Sequence, residues 1–184
     1  MRRLFVSNLM SLDGFFETTD HKLDWFVIDD DFLDYSDDML RSVDLILFGR
    51  KTYEIMAAFW PTAQDRNAGH MNGLAKIVFS KTLASADWHN TRLLRDNAAD
   101  EVARLKQQPG KDIVILGSAM LASSLLQQGL VDEYRVILDP VLLGQGNPLF
   151  KDFRQKQILK LNGSKSFRSG VNVLYYQIPR QSDI

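Results

Sequence analysis

Glycines and residues with hydroxyl or cationic side chains follow three largely apolar, strand-like segments of the sequence. The first group is Gly49, Arg50 and Thr52, which comes directly after the apolar run 44–48. Main-chain N–H groups at the start of a helix bind phosphate, and an arginine guanidinium adds a planar fork of donors that matches a phosphate group. The segment 49–53 therefore predicts either a phosphate-binding turn or a plain strand-to-helix turn with solvated Arg50 and Thr52 side chains.

Two further junctions have a similar composition. Ser80 and Lys81 follow the apolar segment 76–79, although the same residues also suit an ordinary polar loop. Small residues follow the segment 112–116, where a pyrophosphate or a nicotinamide could approach the main chain closely. Tight packing of a helix on a sheet would favour small residues there as well. The members of this third group are Leu116, Gly117, Ser118, Ala119 and Met120.

The segments around these junctions alternate between strand-like and helix-like patterns. Strands are predicted at 3–9, 44–48, 76–79, 92–94, 112–116, 133–141, 157–167 and 171–178, and helices at 29–43, 51–59, 96–107 and 118–128. Short apolar strands between helices are typical of a sheet covered on both faces, and the hairpin-like tail indicates an antiparallel edge. We predict an α/β fold, a three-layer α/β/α sandwich with a mixed central sheet and an antiparallel C-terminal edge. Ligands of such sheets bind outside the carboxyl ends of strands, so we expect the three junctions to line one cleft.

Length and composition predict a single domain over residues 1–184. Hydrophobic residues make up 45% and charged residues 24%, and the net charge is −1, which argues against a nucleic-acid partner. The sequence contains no cysteine, which excludes disulfides, thiolate catalysis and cysteine-ligated zinc and is compatible with a reducing cytosol. No segment approaches the roughly 18 apolar residues of a membrane helix. We therefore expect a cytoplasmic protein with no membrane partner, and the widely spaced histidines predict no metal site.

Residues that could meet a small-molecule substrate are fewer. Asp13 lies in a turn after the first strand and could hydrogen-bond a substrate hydroxyl or relay a proton; an Asx-type turn that caps its own backbone explains it equally well. Trp25 and Trp60, with Phe26 and Phe59, could form an aromatic wall against a flat heterocycle. Packing in the core is the alternative for all four rings.

The order of these segments resembles a known family. Gly49–Glu54 resembles the Gly-Arg-x-Thr-aromatic-Glu segment of dihydrofolate reductases. The chain as a whole, from about residue 3 to residue 178, resembles the reductase (C-terminal) domain of bifunctional riboflavin-biosynthesis deaminase–reductases and its stand-alone relatives. The other segments that carry this resemblance are 11–14, 116–118, 125–126, 129–133, 140–146 and 149–150.

This resemblance implies a dihydrofolate reductase-like fold, NADPH as the hydride donor and a homodimer. By position, Arg50 and Thr52 would hold the adenosine-side phosphates, Ser80 and Lys81 would flank the 2′-phosphate and adenine, and residues 117–120 would lie along the pyrophosphate and nicotinamide. The implied activity is reduction of a small heterocyclic, carbonyl or imine substrate, of the 5-amino-6-(5-phosphoribosylamino)uracil reductase or dihydrofolate reductase type. An NADPH-binding module without turnover, acting as a sensor or interaction protein, is the alternative.

Overall fold

The computed structural model describes residues 1–150, 153 and 156–179 of the chain. In chain order the elements are β1 (Leu4–Ser11), β2 (Phe15–Glu17), α1 (Asp30–Ser42), β3 (Val43–Gly49), α2 (Arg50–Phe59), a 3₁₀ turn (Trp60–Thr62), α3 (Ala68–Gly73), β4 (Ala75–Phe79), β5 (Thr91–Leu94), α4 (Ala98–Lys106), β6 (Asp112–Leu116), α5 (Ala119–Gln127), β7 (Glu133–Asp139), β8 (Asn147–Pro148), β9 (Lys160–Ser166) and β10 (Asn172–Gln177). No helix within these residues has the length and apolarity needed to cross a bilayer.

One eight-stranded sheet organises the domain. Its strand order is β5-β4-β3-β6-β1-β7-β10-β9, and a separate two-stranded pair joins β2 to β8. The six strands from β5 to β7 in this order run parallel to one another, whereas β10 runs antiparallel to both β7 and β9. The predicted mixed sheet with an antiparallel C-terminal edge is therefore confirmed.

Helices cover both faces of this sheet because its central strands are apolar on both sides. Val6, Leu47 and Ile115 belong to the core that also contains buried residues of α4 and α5. Their sequence neighbours Phe5 and Ile46 point to the opposite face, where they pack with residues of α1, α2 and α3. This alternation follows from the two-residue repeat of a strand and gives the three-layer sandwich that the sequence predicts.

Most predicted elements lie within a few residues of their expected bounds, and four short ones were not predicted. Neither β2, the 3₁₀ turn, α3 nor β8 exceeds six residues, so none shows a clear hydrophobic period. The strand predicted at 133–141 ends at Asp139, directly before Pro140, and the strand predicted at 157–167 begins at Lys160. These differences leave the predicted sheet and its connections unchanged.

Candidate functional site

The three junctions identified in the sequence lie at the same edge of the sheet. Gly49 at the end of β3 pairs with Phe79 at the end of β4, and Leu47 pairs with Ile115 near the end of β6. Because β4, β3 and β6 are parallel neighbours, their carboxyl ends stand side by side. The structure thus brings together the turns that contain Arg50, Lys81 and Ser118, as a single cleft requires.

Two of these junctions are tied to each other by hydrogen bonds. The Gly49 N–H donates to Ser118 Oγ over 2.7 Å, and the Ser118 N–H donates to Thr52 Oγ1 over 2.9 Å. Gly117 and Ser118 both adopt left-handed backbone, with φ of 60° and 54°. A serine in this conformation is unfavourable by roughly 1–2 kcal/mol, so its surroundings must hold it. The two hydrogen bonds do so and join the start of α2 to the start of α5.

Loss of the Thr52 hydroxyl is expected to loosen this joint. Thr52→Val keeps the shape of the side chain but leaves the Ser118 N–H without its acceptor, which should lower the free energy of unfolding by about 1–2 kcal/mol. Thr52→Ser is the matched control, since it keeps the acceptor and removes only a methyl group. Urea unfolding of both variants checks the prediction. A Thr52→Val variant as stable as Thr52→Ser and wild type would show that the hydrogen bond does not stabilise this joint.

The starts of α2 and α5 also differ from those of α1 and α4 in how their N–H groups are satisfied. Asp29 and Asn97 cap α1 and α4 by accepting a backbone N–H with their side chains. Within the described chain, α2 and α5 have no side-chain cap hydrogen bond at their N-caps, Gly49 and Ser118. First-turn N–H groups of two adjoining helices therefore remain available at the same edge. Their partial positive charge favours an anion such as a phosphate group.

Two cationic side chains stand near these helix starts. Arg50 is the first residue of α2 and forms a 3.4 Å ion pair with Glu54 one turn later, in which both side chains are 45% exposed. Such an exposed pair stabilises by less than about 1 kcal/mol, so Arg50 can turn towards an anionic ligand with little loss. Lys81 lies exposed in the turn after β4, and its carbonyl accepts a hydrogen bond from Arg95.

The structure shows the contacts of Ser80 and the exposure of Met120, which the sequence does not reveal. The Ser80 hydroxyl accepts the N–H groups of Thr82 and Leu83, at 3.2 and 2.9 Å, and so fixes the turn that presents Lys81. Met120 lies in the first turn of α5 and is 77% exposed. A large apolar side chain so open to solvent beside a candidate binding edge can cover part of a ligand.

Strand β1 continues beyond the point at which its neighbour β6 ends. Ser7 pairs with Leu116, the last residue of β6, whereas the next four residues pair with β7 only, within the described residues. The first of these four, Asn8, is 2% exposed, and its Oδ1 has no hydrogen-bond partner in the described structure. A buried carbonyl oxygen without a donor is uncommon, and this one lies beside the helix starts described above.

Asp13 connects the end of β1 to the loop after β7. Its carboxylate accepts the Ser11 hydroxyl at 2.6 Å and the N–H groups of Gly144 and Leu143 at 2.8 and 3.2 Å. The Ser11 hydroxyl, followed by these N–H groups, holds the pKa of Asp13 below its ordinary value. An ionised carboxylate accepts hydrogen bonds and does not donate a proton, so the geometry gives Asp13 a positioning role for this loop.

The predicted aromatic residues form two pairs. Trp25 contacts Phe26 edge to face at 6.3 Å between ring centroids, in the segment before α1. Trp60 contacts Phe59 at 5.1 Å, at the end of α2, and donates its indole N–H to Met56 Sδ at 3.1 Å. The structure thus assigns Trp25 and Trp60 to different elements, each with its own aromatic neighbour.

Sequence reasoning missed two polar residues at this edge. Asn8 and Asp139 are each buried and each has an oxygen without a partner in the described structure. The only signal in the sequence is a polar residue within, or at the end of, an otherwise apolar strand. That signal does not indicate which neighbour satisfies the side chain, because the partners come from elements distant in sequence.

The fold and the arrangement of its strand ends define an α/β domain of the dihydrofolate reductase type. The chain belongs to the RibD C-terminal domain family, which matches residues 2–175. It is 36% identical over 182 residues to the uncharacterized protein YyaP of Bacillus subtilis (strain 168), covering 95% of this chain and 94% of YyaP. It is 31% identical over 180 residues to the uncharacterized protein YwjB of the same organism, covering 95% and 97% of the two chains.

Solved structures share the same fold. A putative riboflavin biosynthesis protein from Shewanella sp. PV-4 superposes with a TM-score of 0.77 at 21% identity, over 97% of this chain and 99% of that one. A diaminohydroxyphosphoribosylaminopyrimidine deaminase/5-amino-6-(5-phosphoribosylamino)uracil reductase from Thermotoga maritima gives a TM-score of 0.69 at 14% identity, over 97% of this chain and 57% of that one. Together with the family assignment, these structures confirm the dihydrofolate reductase-like fold and the family resemblance predicted from the sequence.

Proposed function

We propose that the protein is an NADPH-dependent reductase that transfers a hydride to a small heterocyclic, carbonyl or imine substrate, pterin-like or riboflavin-precursor-like. One observation carries this proposal: two helix starts without side-chain caps are hydrogen-bonded to each other at the carboxyl edge, with Arg50 beside them. Membership of the RibD C-terminal domain family supports the reductase class. The Thermotoga maritima relative names the first substrate type to test, 5-amino-6-(5-phosphoribosylamino)uracil.

The residues at the edge fit the parts of NADPH. Arg50 and Lys81 supply positive charge for the 2′-phosphate, and the first-turn N–H groups of α2 and α5 suit the pyrophosphate. The free Oδ1 of Asn8 is an acceptor for the amide N–H group of the nicotinamide. When bound, NADPH supplies the hydride for the reduction.

The chain's own contribution is chiefly to orient the reactants. A rigid joint between α2 and α5 fixes the donors that hold the phosphates, and the Asp13 carboxylate fixes the loop at 143–144 on the other side of β1. Alignment of two reactants by such fixed groups can supply much of a rate enhancement. The proposal therefore requires no covalent intermediate and no metal ion.

Titration with NADPH tests the proposal directly. A ligand that binds only the folded state stabilises it and so raises the melting temperature. At a ligand concentration 100 times its Kd, the free energy of unfolding increases by about 2.7 kcal/mol. We expect such stabilisation, and oxidation of NADPH with 5-amino-6-(5-phosphoribosylamino)uracil or dihydrofolate as substrate. Failure to bind NADPH would contradict the proposal. Binding without turnover across a panel of heterocycles would instead support the binding-module alternative.

Arg50→Ala is expected to weaken NADPH binding at least tenfold more than NADH binding. The reason is that the guanidinium is assigned to the 2′-phosphate, which NADH lacks. Fluorescence titration of both cofactors measures the two ratios. Lys51→Ala is the matched control, since it removes an exposed cation from the same helix turn and should change both affinities by less than about threefold. Equal losses for NADPH and NADH in the Arg50 variant would overturn the assignment.

The homodimer and the cytoplasmic location stay predictions. The dimer is implied by the family resemblance, and we propose it as the working assembly of the protein. Sedimentation equilibrium distinguishes a dimer from a monomer, and a monomer at micromolar concentration would contradict this part of the proposal.

A further inference from the structure

Asp139 has a buried carboxyl group, and one of its two oxygens has no hydrogen-bond partner in the described structure. It is the last residue of β7, pairs with Ser11 of β1, and is 0% exposed. Its Oδ1 accepts the Val27 N–H at 2.8 Å, whereas Oδ2 has no hydrogen-bond partner in the described structure. Burial of a polar atom without a partner is costly, so a folded protein keeps few of them, and such an atom calls for a specific reason.

The indole N–H of Trp25, in the segment before α1, is also buried without a hydrogen-bond partner in the described structure. Tyr35 belongs to the small core that contains Ile137, two residues before Asp139 on β7, and Val27 packs against that core. The segment before α1 therefore covers the Asp139 carboxyl group, and α1 packs on a small hydrophobic core beside it.

The position of Asp139 suits the substrate side of the proposed reductase site. Asp139 stands opposite Ser11, four residues along β1 from Ser7, which pairs with the last residue of β6. At about 3.3 Å per residue, this places Asp139 roughly 13 Å further along β1 than the end of β6, and on the other side of β1. A dinucleotide that extends from β4 across β3 and β6 to β1 leaves this place for the second reactant.

The charged and titratable groups of the neighbouring elements include Asp13 after β1, Asp29 before α1, Tyr35 on α1, Arg135 on β7 itself and Tyr175 on β10. Burial raises the pKa of the Asp139 carboxyl to about 6, and the Val27 N–H acts in the opposite direction. An acid whose pKa lies near the working pH can both hold and release a proton, as general acid catalysis requires.

We propose, on the basis of the reductase function proposed above, that Asp139 is a catalytic residue that donates a proton to the ring nitrogen of a C=N substrate. In this reduction the carbon of the C=N bond receives the hydride, and its nitrogen receives the proton of the Asp139 carboxyl. The C=N bond becomes a CH–NH bond, NADPH becomes NADP⁺, and the carboxylate regains its proton from water. The substrate class is therefore a cyclic imine or amidine whose nitrogen accepts a hydrogen bond.

The route to Asp139 passes the segment before α1. The Val27 N–H holds this segment on the carboxyl group, so we infer that the substrate reaches Oδ2 when residues 25–27 move aside.

Asp139→Asn tests the proposal with two readouts, in the full-length protein. The first is the melting temperature from pH 4 to pH 8, without any ligand. Because the folded-state pKa lies above that of the unfolded chain, the wild type loses stability as the pH rises through about 6. The melting temperature of wild type should therefore fall by several degrees relative to that of the variant over this range. A constant difference would overturn the proposal, since Asp139 would not be a buried acid.

The second readout is NADPH oxidation with 7,8-dihydropterin, a C=N heterocycle, as the probe. We expect the variant to react at least 100-fold more slowly, to lose the pH dependence near 6, and to bind NADPH within twofold of wild type. Asp112→Asn, at the opposite edge of the sheet, is the control and should leave the rate and the NADPH affinity unchanged. A rate within threefold of wild type would overturn the proposal, as would the absence of turnover by NADPH-bound wild type. Failure of wild type to bind NADPH would instead refute the reductase function, and the melting curves would still decide whether Asp139 is a buried acid.

Discussion

Gly117→Val is expected to lower the affinity for NADPH about 100-fold and the free energy of unfolding by about 3 kcal/mol. Gly117 has a φ of +60°, which a β-branched side chain adopts only under strain. A Cβ atom there would lie 3.0 Å from Thr52 Cγ2. Thr52 accepts the N–H of the next residue, Ser118, so a displaced Thr52 breaks the joint between α2 and α5. The donors assigned to the phosphates would then lose their alignment.

Gly129→Val is the matched control for this prediction. Gly129 has nearly the same backbone conformation, with a φ of +68°, but a Cβ atom there would meet nothing within 4 Å. It lies just beyond the other end of α5, away from the candidate site. This variant should lose only the backbone contribution, about 1–2 kcal/mol, and should bind NADPH as wild type does.

Comparison of the two variants separates backbone strain from loss of the site. Chemical denaturation measures stability, and fluorescence titration measures the NADPH affinity of the folded protein. Wild-type affinity in the Gly117 variant would show that the junction after β6 does not hold the cofactor. Equal loss of affinity in both variants would indicate a general effect of strain on α5.

The layered fold could be predicted from the sequence because each central strand is a short apolar run between amphipathic helices. Segments such as 112–116 have one interpretation, a strand buried on both faces, and β6 has these bounds. The order of strands in the sheet is less visible, because it depends on pairings between residues more than 100 positions apart, such as Phe5 with Val114. The family resemblance supplied what the local pattern did not contain.

The candidate site could be predicted only in part, for a similar reason. Hydroxyl and cationic residues directly after strands reveal where a phosphate could bind, since the strand ends share an edge. The hydrogen-bond partners of polar residues at this edge cannot be predicted in the same way. Asp13 accepts N–H groups of a loop 130 residues away, and Asp139 accepts the N–H of Val27, and no local spacing predicts either contact. The roles of Asp13 and Asp139 can therefore be assigned only when the pairing of the strands is known.

A second set of polar contacts joins α2, the helix that carries Arg50, to α3 and β4. The Tyr53 hydroxyl of α2 accepts the backbone N–H of Trp88 at 3.1 Å. The indole N–H of Trp88 donates to Asn72 Oδ1 at 2.7 Å, which connects this support to α3. Lys76 of β4 completes the arrangement, with its Nζ 4.4 Å from the centre of the Trp88 ring. The stability of this cluster therefore bears on the position of α2.

Lys76→Met is expected to lower the free energy of unfolding by about 3 kcal/mol. Lys76 is 1% exposed, and its ammonium group donates to the carbonyl oxygens of Met71, Asn72 and Leu74 at 2.8, 3.2 and 2.7 Å. Methionine fills a similar volume but leaves these carbonyls at the end of α3 without that donor. For a chain of this size, the loss corresponds to a fall of roughly 9 °C in melting temperature.

Part of this loss is offset by the cost of burying a charge. Burial lowers the pKa of Lys76 to about 8, so the ammonium form is less favourable in the folded protein than in water. Three carbonyl acceptors and the face of Trp88 act in the other direction, because each favours the charged form. We expect these contacts to prevail at pH 7, since removal of a donor from a buried group of acceptors leaves all of them unpaired.

Lys111→Met provides the matched control for Lys76→Met. Lys111 also donates its ammonium group to a carbonyl oxygen, that of Arg41 at 2.9 Å, but it does so at the exposed surface, where water can replace it. Its loss should change the free energy of unfolding by less than about 0.5 kcal/mol. Urea unfolding at pH 7 compares the two variants. If Lys76→Met proved as stable as wild type, the buried ammonium group would stabilise α3 no better than an apolar side chain does. Its contact with Trp88 would then contribute nothing to the position of α2, the helix that carries Arg50.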